Sequence, residues 1–347
     1  MLRTLCSFTT EFSATVFILF FLPALTLSQD LQRYDFQSRH MGTQVQIMLY
    51  ATSEPEAETA ANSAFDRIEE INQSMSDYID ESELNRLSRL SGSGNWMEIS
   101  RSFFDVLKES VLISQKTDGL FDVTIGPMTH TWRYLRRLPD PELPDEDEIK
   151  SMQKRVGYHH IELDEVKMKA RLMAKNMQLD FGGIAKGYAA EEAVRVITSY
   201  GIHSVLVDAG GDISAGDPPP GRPAWDVAIP KGGLSETPDY ITLTLSGKTL
   251  TTSGDMYQFV EIDGTRYSHI INPKTGIGSF DQIQATVISS NGMYADAFAS
   301  VLTLMEPDDG IELIEQLDNT EAILVMEVSG EIREWRTSGI SDFLKRK

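Results

Sequence analysis

Helical and strand patterns follow one another irregularly along this 347-residue chain, and the mixture predicts an α+β fold: a single domain of mixed sheets with flanking helices. Three observations carry that expectation. Stretches with apolar residues every three or four positions sit between stretches that alternate every second position. No internal repeat, and no linker long enough to separate domains, interrupts 29–347. An apolar segment near the N-terminus stands apart and reads as a secretory signal peptide over 1–28.

In that segment Arg3 supplies the positive start and Phe12 to Leu27 the apolar stretch. Thr26-Leu27-Ser28 offers small residues before a cut ahead of Gln29. The stretch is short for a membrane span, although an uncleaved anchor is the alternative. The only cysteine, Cys6, lies inside it, so the mature chain has no disulfide, thiolate metal site or thiol nucleophile. A signal implies export. The formal charge is -21, and the cut removes one charge of each sign, Arg3 and Glu11, leaving it unchanged. Such an acid excess argues against nucleic acid and anionic membrane surfaces as partners. A phosphate ester would have to be held by short-range attraction.

Taken in order, 44–50 alternates and predicts a strand, and 54–75 predicts an amphipathic helix with Ala61, Phe65, Ile68 and Ile71 inside. Ser82 and Ser100 are placed to cap two further helices, the second running to Lys116. An acidic, proline-rich excursion over 139–147 leads to a helix ending near Val156. A hairpin over 158–168 turns at Asp164-Glu165, with His159 and His160 on a surface strand. A short strand over 177–180 runs through two glycines into a helix over 184–200, and Gly201 stands just past its end. Strands follow at 204–208, 225–229, 240–245, 248–252 and 258–262, with a hairpin turn at Asp263-Gly264. The chain closes with a strand (283–289), a helix (294–305), a helix (310–317) and strands over 322–327 and 331–335.

Six stretches rich in Gly, Asp and hydroxyl residues border these elements: 117–124, 179–188, 208–212, 251–257, 268–276 and 294–300. One alone is a turn; several suit one pocket built from element ends. In LDFGGIAKGY (179–188) the strand-to-helix passage offers free backbone N–H groups and the positive end of a helix, with Lys186 as a mobile cation and Asp180 beside it. A plain strand-to-helix turn with a surface lysine fits the same residues. Asp296 and Ser300 are four apart and share a helix face as hard oxygen donors suited to Mg²⁺, while helix capping by Asp296 is the alternative. His269 lies at an element end, where it can serve as a general base or as a structural histidine. Phe121 and Tyr78 could stack on a planar ring or pack in the core. No zinc-type histidine pair, nucleophile elbow or dinucleotide fingerprint is present.

MGT at 41–43, MSDY at 75–78, DGLFDVTIGP at 118–127, LDFGGIAKGY at 179–188, GGD at 210–212, SGD at 253–255, HIINPKTG at 269–276 and ADAFAS at 295–300 resemble, as an ordered set, the ApbE family of FAD:protein FMN transferases. The resemblance spans about Met41 to Met305. It implies an ApbE-like domain that uses FAD as substrate with Mg²⁺. It also implies transfer of FMN to a threonine or serine hydroxyl of a flavoprotein subunit of a membrane redox complex, with release of AMP. Carried over by motif, Met41, Tyr78, Leu120, Phe121, Asp122, Asp180, Lys186 and Ile271 would contact FAD. The Gly183 carbonyl, Asp296 and Ser300 would hold the metal, and His269 would deprotonate the acceptor. Some relatives cleave FAD with water, so FAD pyrophosphatase is one alternative and non-catalytic FAD binding another. Ser300 stands where the family more often has Thr, Asn272 where it has Asp, and Asp208-Ala209 where it has Asn-Leu. Loss of the Asp charge beside His269 is expected to bear on that histidine's pKa or on the metal.

Overall fold

The computed structural model describes residues 30–231, 239–254, 258–279, 283–328 and 331–345. The segment 1–28, expected to be a signal peptide, and residues 255–257, with Asp255 of SGD, lie outside the described residues. Eight strands build the main sheet: β1 (Gln32–His40), β2 (Thr43–Ala51), β3 (Val205–Ala209), β4 (Asp212–Ala215), β5 (Thr249–Ser253), β6 (Ile283–Ser289), β7 (Thr320–Val328) and β8 (Glu331–Arg336). They lie in chain order, each antiparallel to the next. The helices are α1 (Glu54–Met75), α2 (Glu83–Arg89), α3 (Arg101–Lys116), α4 (Gly126–Leu135), α5 (Glu146–Gln153), α6 (Ala185–Ser199), α7 (Gly292–Leu302) and α8 (Pro307–Glu315). The α+β expectation holds, and from Leu31 onward the chain forms one compact unit.

The sheet is covered on both faces, and the strand residues alternate accordingly. Val205, Val207, Ala285, Val287 and Leu324 join the core that holds α1, α6 and α7. Leu206, Ile288, Ile323 and Val325 join a second core with the hairpin Trp225–Pro230 and Tyr240–Leu245. A third, smaller cluster joins α4 and α5 to the hairpin Phe259–Ile262 and Thr265–Ser268, through Met128, Trp132, Met152, Val260 and Ile271. Among the described residues no helix is long and apolar enough to cross a membrane.

Ser82 and Ser100 cap α2 and α3 as expected, each accepting from the amide three residues on. Other elements differ from the sequence pattern. β1 escapes it because it is a polar edge strand with no fully buried residue; its ladder, not its side chains, holds it. The stretch 177–180 is no strand: it makes one parallel bridge, Gln178 to Ile125. His159 and His160 lie in a single 3-10 turn, and the hairpin's second strand starts only at Lys169. The segment 126–138, to which the patterns assign no element, carries α4, and its amphipathic stripe packs Met128, Trp132 and Leu135 inward.

Candidate active site

A cleft of about 650 Å³ opens where the main core meets the α4 cluster, a size suited to a ligand as large as a nucleotide. Met41, Tyr78, Leu120, Phe121, Asp122, Asp180, Gly183, Lys186, His269, Ile271 and Ser300 all line it. Asp296 lies just behind, 3.7 Å from the Lys186 ammonium. Of the six Gly- and Asp-rich stretches, 117–124, 179–188, 268–276 and 294–300 line the cleft; 208–212 reaches it only through Asp212 on Lys186, and 251–257 only through Ser253 on Ser300 among the described residues.

Met41 and Gly42 form the two-residue turn between β1 and β2, with φ of 49° and 75°. A left-handed methionine costs about 1–2 kcal/mol, and the His40–Thr43 register imposes it. Tyr78 is 68% exposed and carries the Arg133 guanidinium 4.3 Å above one face of its ring, which leaves the other face for a planar ligand. Phe121 is buried in the main core and presents only an edge of that core to the cleft. Asp122 uses both carboxylate oxygens internally, on the Thr124 amide and hydroxyl and on the Tyr158 amide, while burial pushes its pKa up. Asp180 accepts from the Thr129 hydroxyl at 2.7 Å and the Gly182 amide at 2.8 Å.

The start of α6 differs from the expected anion pocket. Its amides are not all free, because Asp296 occupies that place from within: its Oδ2 accepts from the Gly187 amide at 3.0 Å. The cap of α7 is Asn291, so Asp296 is not a cap of its own helix; it reaches across to the positive end of another. Two glycines make this possible. A methyl on Gly187 would run into the Gly292 carbonyl and a methyl on Gly292 into the Gly187 carbonyl, so the two helix starts touch backbone to backbone.

Lys186 is not mobile. Its ammonium lies 2.5 Å from Asp212 Oδ2, and Asp212 in turn accepts from the Thr251 hydroxyl at 2.9 Å. Burial alone would lower the Lys186 pKa, but Asp212 and Asp296 outweigh it and hold it above the ordinary value. One ammonium serves two carboxylates, each with 2% of its side chain exposed. Asp212 is the nearer, so Asp296 is left undercompensated, and burial and the Asp212 charge push its pKa well above the usual carboxylate range. Ser300 lies one turn beyond it with Oγ 3.3 Å from Ser253 Oγ, and a methyl placed on Gly183 would come within 3.5 Å of that Ser300 hydroxyl. This is an all-oxygen donor set with an unbalanced negative charge, and it fits a hard divalent cation such as Mg²⁺. Among the described residues no group of three or more His, Cys, Asp or Glu side chains is placed to hold a metal ion.

Across the cleft, His269 has its Nδ1 3.1 Å from the Gln258 carbonyl. A carbonyl only accepts, so Nδ1 carries the proton in the neutral ring and the lone pair is on Nε2. Enclosure by the cleft walls lowers the His269 pKa to about 4, with Arg136 and Lys186 adding positive charge nearby. The Asn272 side chain closes a turn by accepting from the Lys274 amide at 2.9 Å.

Sequence reasoning misses several lining residues. Asp77 ties the α1 exit to α4 through His130 at 3.1 Å and Arg133 at 2.6 Å; burial works to raise its pKa, and these two bonds outweigh it and hold it low. Arg136 and Gln258 also line the cleft. The signal that could have found the arginines is WRYLRR at 132–137, where Trp132 turned inward sets Arg133 and Arg136 on the flanks of one helix turn. Asp212 stands inside the GGD motif, yet nothing in that motif marks it as the partner of a lysine.

The model of the ApbE family matches residues 41–324. Among curated relatives, the FAD:protein FMN transferase of Vibrio cholerae is 26% identical over 280 residues, covering 80% of this chain and 83% of the relative. That of Haemophilus influenzae is 30% identical over 254 residues, 72% of this chain and 73% of the relative. Among solved structures, the flavin transferase ApbE from Vibrio cholerae superposes with a TM-score of 0.81 at 25% identity, over 90% of this chain and all of that one.

Proposed function

The chain belongs to the ApbE family, and from that premise we propose that it is an FAD:protein FMN transferase. It takes FAD as substrate, moves the FMN half onto a threonine or serine hydroxyl of a flavoprotein subunit, and releases AMP. The observation that carries this reading is the convergence of eleven motif residues on one cleft, with Asp296 directly behind them.

The reaction joins the acceptor oxygen to the FMN phosphorus and breaks the bridging P–O bond, so the acceptor proton must leave and AMP must carry off the electron pair. His269 Nε2 takes the proton. Its imidazole is neutral at pH 7, and the Nδ1–H bond to Gln258 fixes the tautomer. Tyr78 offers its free face to a planar ring, and Lys186, with 31% of its side chain open, offers its ammonium to a phosphate oxygen. Asp122, whose carboxylate is committed internally, contributes by its main chain. Asp296, Ser300 and the Gly183 carbonyl would hold Mg²⁺, which when bound supplies positive charge to the diphosphate and the departing AMP. Such electrostatic help is worth about 3–4 kcal/mol.

The acceptor is a subunit of a membrane redox complex, met after export on the periplasmic side. The apolar 1–28 segment supports that placement. A mature protein whose first residue is Gln29 is the expected result of N-terminal sequencing; retention of Met1 on a cytoplasmic chain would refute it. Incubation with FAD, Mg²⁺ and a threonine-bearing peptide tests the chemistry. A yellow peptide with one AMP per flavin is expected. Free FMN with an unlabelled peptide would mean a pyrophosphatase, and no AMP at all a mere flavin binder.

A further inference from the structure

Arg133 and Arg136 lie one turn apart at the end of α4, and both line the cleft. They are used very differently. Arg133 spends its charge on protein carboxylates, Asp77 at 2.6 Å and Asp180 at 3.6 Å. Arg136 has no carboxylate within ion-pair distance among the described residues; its hydrogen bond is from NH1 to the neutral Gln258 side-chain oxygen at 3.1 Å. This happens in a chain with 52 acidic against 31 basic side chains, where an arginine without a carboxylate has to be arranged.

Arg136 is also half-buried, and burial, with Arg133 and Arg137 nearby, lowers its pKa; Tyr78 works against this, and no carboxylate among the described residues does. A desolvated guanidinium normally finds an anion. Its planar fork of donors matches the paired oxygens of a phosphate or carboxylate, and a single bond to an amide oxygen leaves most of that fork unused. The last turn of a helix welcomes a cation, but by only about 0.3–1 kcal/mol, and that would be satisfied as well by a side chain turned to solvent. The same Gln258 that receives Arg136 holds the ring and the amide of His269 on its carbonyl, at 3.1 Å each. Arg136 therefore stands on the side of the cleft where the acceptor hydroxyl would be deprotonated.

We propose that Arg136 is an anion anchor on the base side of the cleft, taking a charged oxygen of a bound reactant: a flavin-nucleotide phosphate, or a carboxylate beside the acceptor hydroxyl. The assignment rests on the proposed function for both sources: on its flavin nucleotide for the first and on its acceptor for the second. It makes Arg136 a specificity residue. The neutral Gln258 side chain keeps it extended into the cleft without neutralising it.

The test compares the full chain with its Arg136→Gln and Arg136→Lys variants. Quenching of flavin fluorescence measures affinity for riboflavin, FMN and FAD. AMP release is followed with FAD, Mg²⁺ and two threonine peptides that differ only in aspartate or asparagine near the threonine. If the anion is a phosphate, Arg136→Gln weakens FMN and FAD about 10- to 100-fold and leaves riboflavin within about twofold. If it is a carboxylate, flavin affinities hold, the unaltered protein favours the aspartate peptide about tenfold in KM, and Arg136→Gln erases that preference. Arg136→Lys recovers some of the lost discrimination in either case. Equal weakening of riboflavin and FAD, or no change for any flavin and for either peptide, overturns the proposal. Absence of AMP from the unaltered protein would instead refute the transferase reading, while the fluorescence series would still decide the fate of Arg136.

Discussion

The two walls of the cleft handle charge in opposite ways. On the α6–α7 wall, two buried carboxylates, Asp212 and Asp296, share one ammonium and are left short of positive charge. On the α4 wall, Arg136 and His269 stand without any carboxylate among the described residues. Within one chain of net charge -21, the polarity of the cleft is thus set by which helix ends meet there, not by composition. A wall short of positive charge suits a cation and the phosphates it carries; on the other wall the histidine is kept neutral, so its lone pair is open to a proton, though its lowered pKa makes it a weak base.

The sharpest way to break this contrast is at the histidine. His269→Ala should slow flavin transfer by about 10²–10⁴-fold while FAD affinity stays close to unchanged, read by AMP release and by fluorescence quenching. The pH profile sharpens the point. The neutral ring is the working form, and its pKa is lowered to about 4. The acid limb of kcat/KM should therefore lie near pH 4, with little loss between about pH 7 and 5. An acid limb near 6.5, the ordinary histidine value, would show that the wall does not desolvate the ring.

Next comes the opposite wall. Lys186→Met leaves Asp212 and Asp296 buried without their ammonium, which should cost about 3–5 kcal/mol in denaturant unfolding. Excess Mg²⁺ should return more stability to this variant than it adds to the unaltered protein; an equal gain would argue against a cation beside Asp296. Gly187→Ala probes the same wall without touching a charge. Alanine gains up to about 1 kcal/mol of helix propensity over glycine, but its methyl meets the Gly292 carbonyl. The clash should win, with a net loss of about 1–3 kcal/mol seen as a lower Tm. The smallest effect is expected from Asn272→Asp, whose Oδ1 already accepts from the Lys274 amide. The acid limb should move by less than about half a pH unit, because charge at this partly exposed position is screened by solvent and salt.

Much of the site was legible because its residues belong to turns, and turns leave marks in sequence. Gly182-Gly183 and the run from His269 to Gly276 announce close backbone approach, whereas Met41 was legible only through the family motif at 41–43. The Asp296 and Ser300 spacing follows from the helix period alone. Much else left no such mark. β1 is polar and is held by its ladder. α4 has a short apolar stripe that no capping residue introduces, since its N-cap Ile125 makes no side-chain bond.

By itself, then, the order of residues determined the mixture of helices and strands, the family motifs and the chemical types gathered in them, because periodicity and turn chemistry act over a few neighbouring positions. Only the tertiary structure decided who pairs with whom. Asp296 lies 109 positions from the amide it caps, Lys186 lies 26 from Asp212, and Arg136 lies 122 from Gln258. Electrostatic energy depends on distance and burial in space, and neither is written in the spacing along the chain. Hence the lysine expected to be mobile is pinned, the amides expected to be free are partly occupied, and the arginine that no motif marked stands without a carboxylate partner among the described residues.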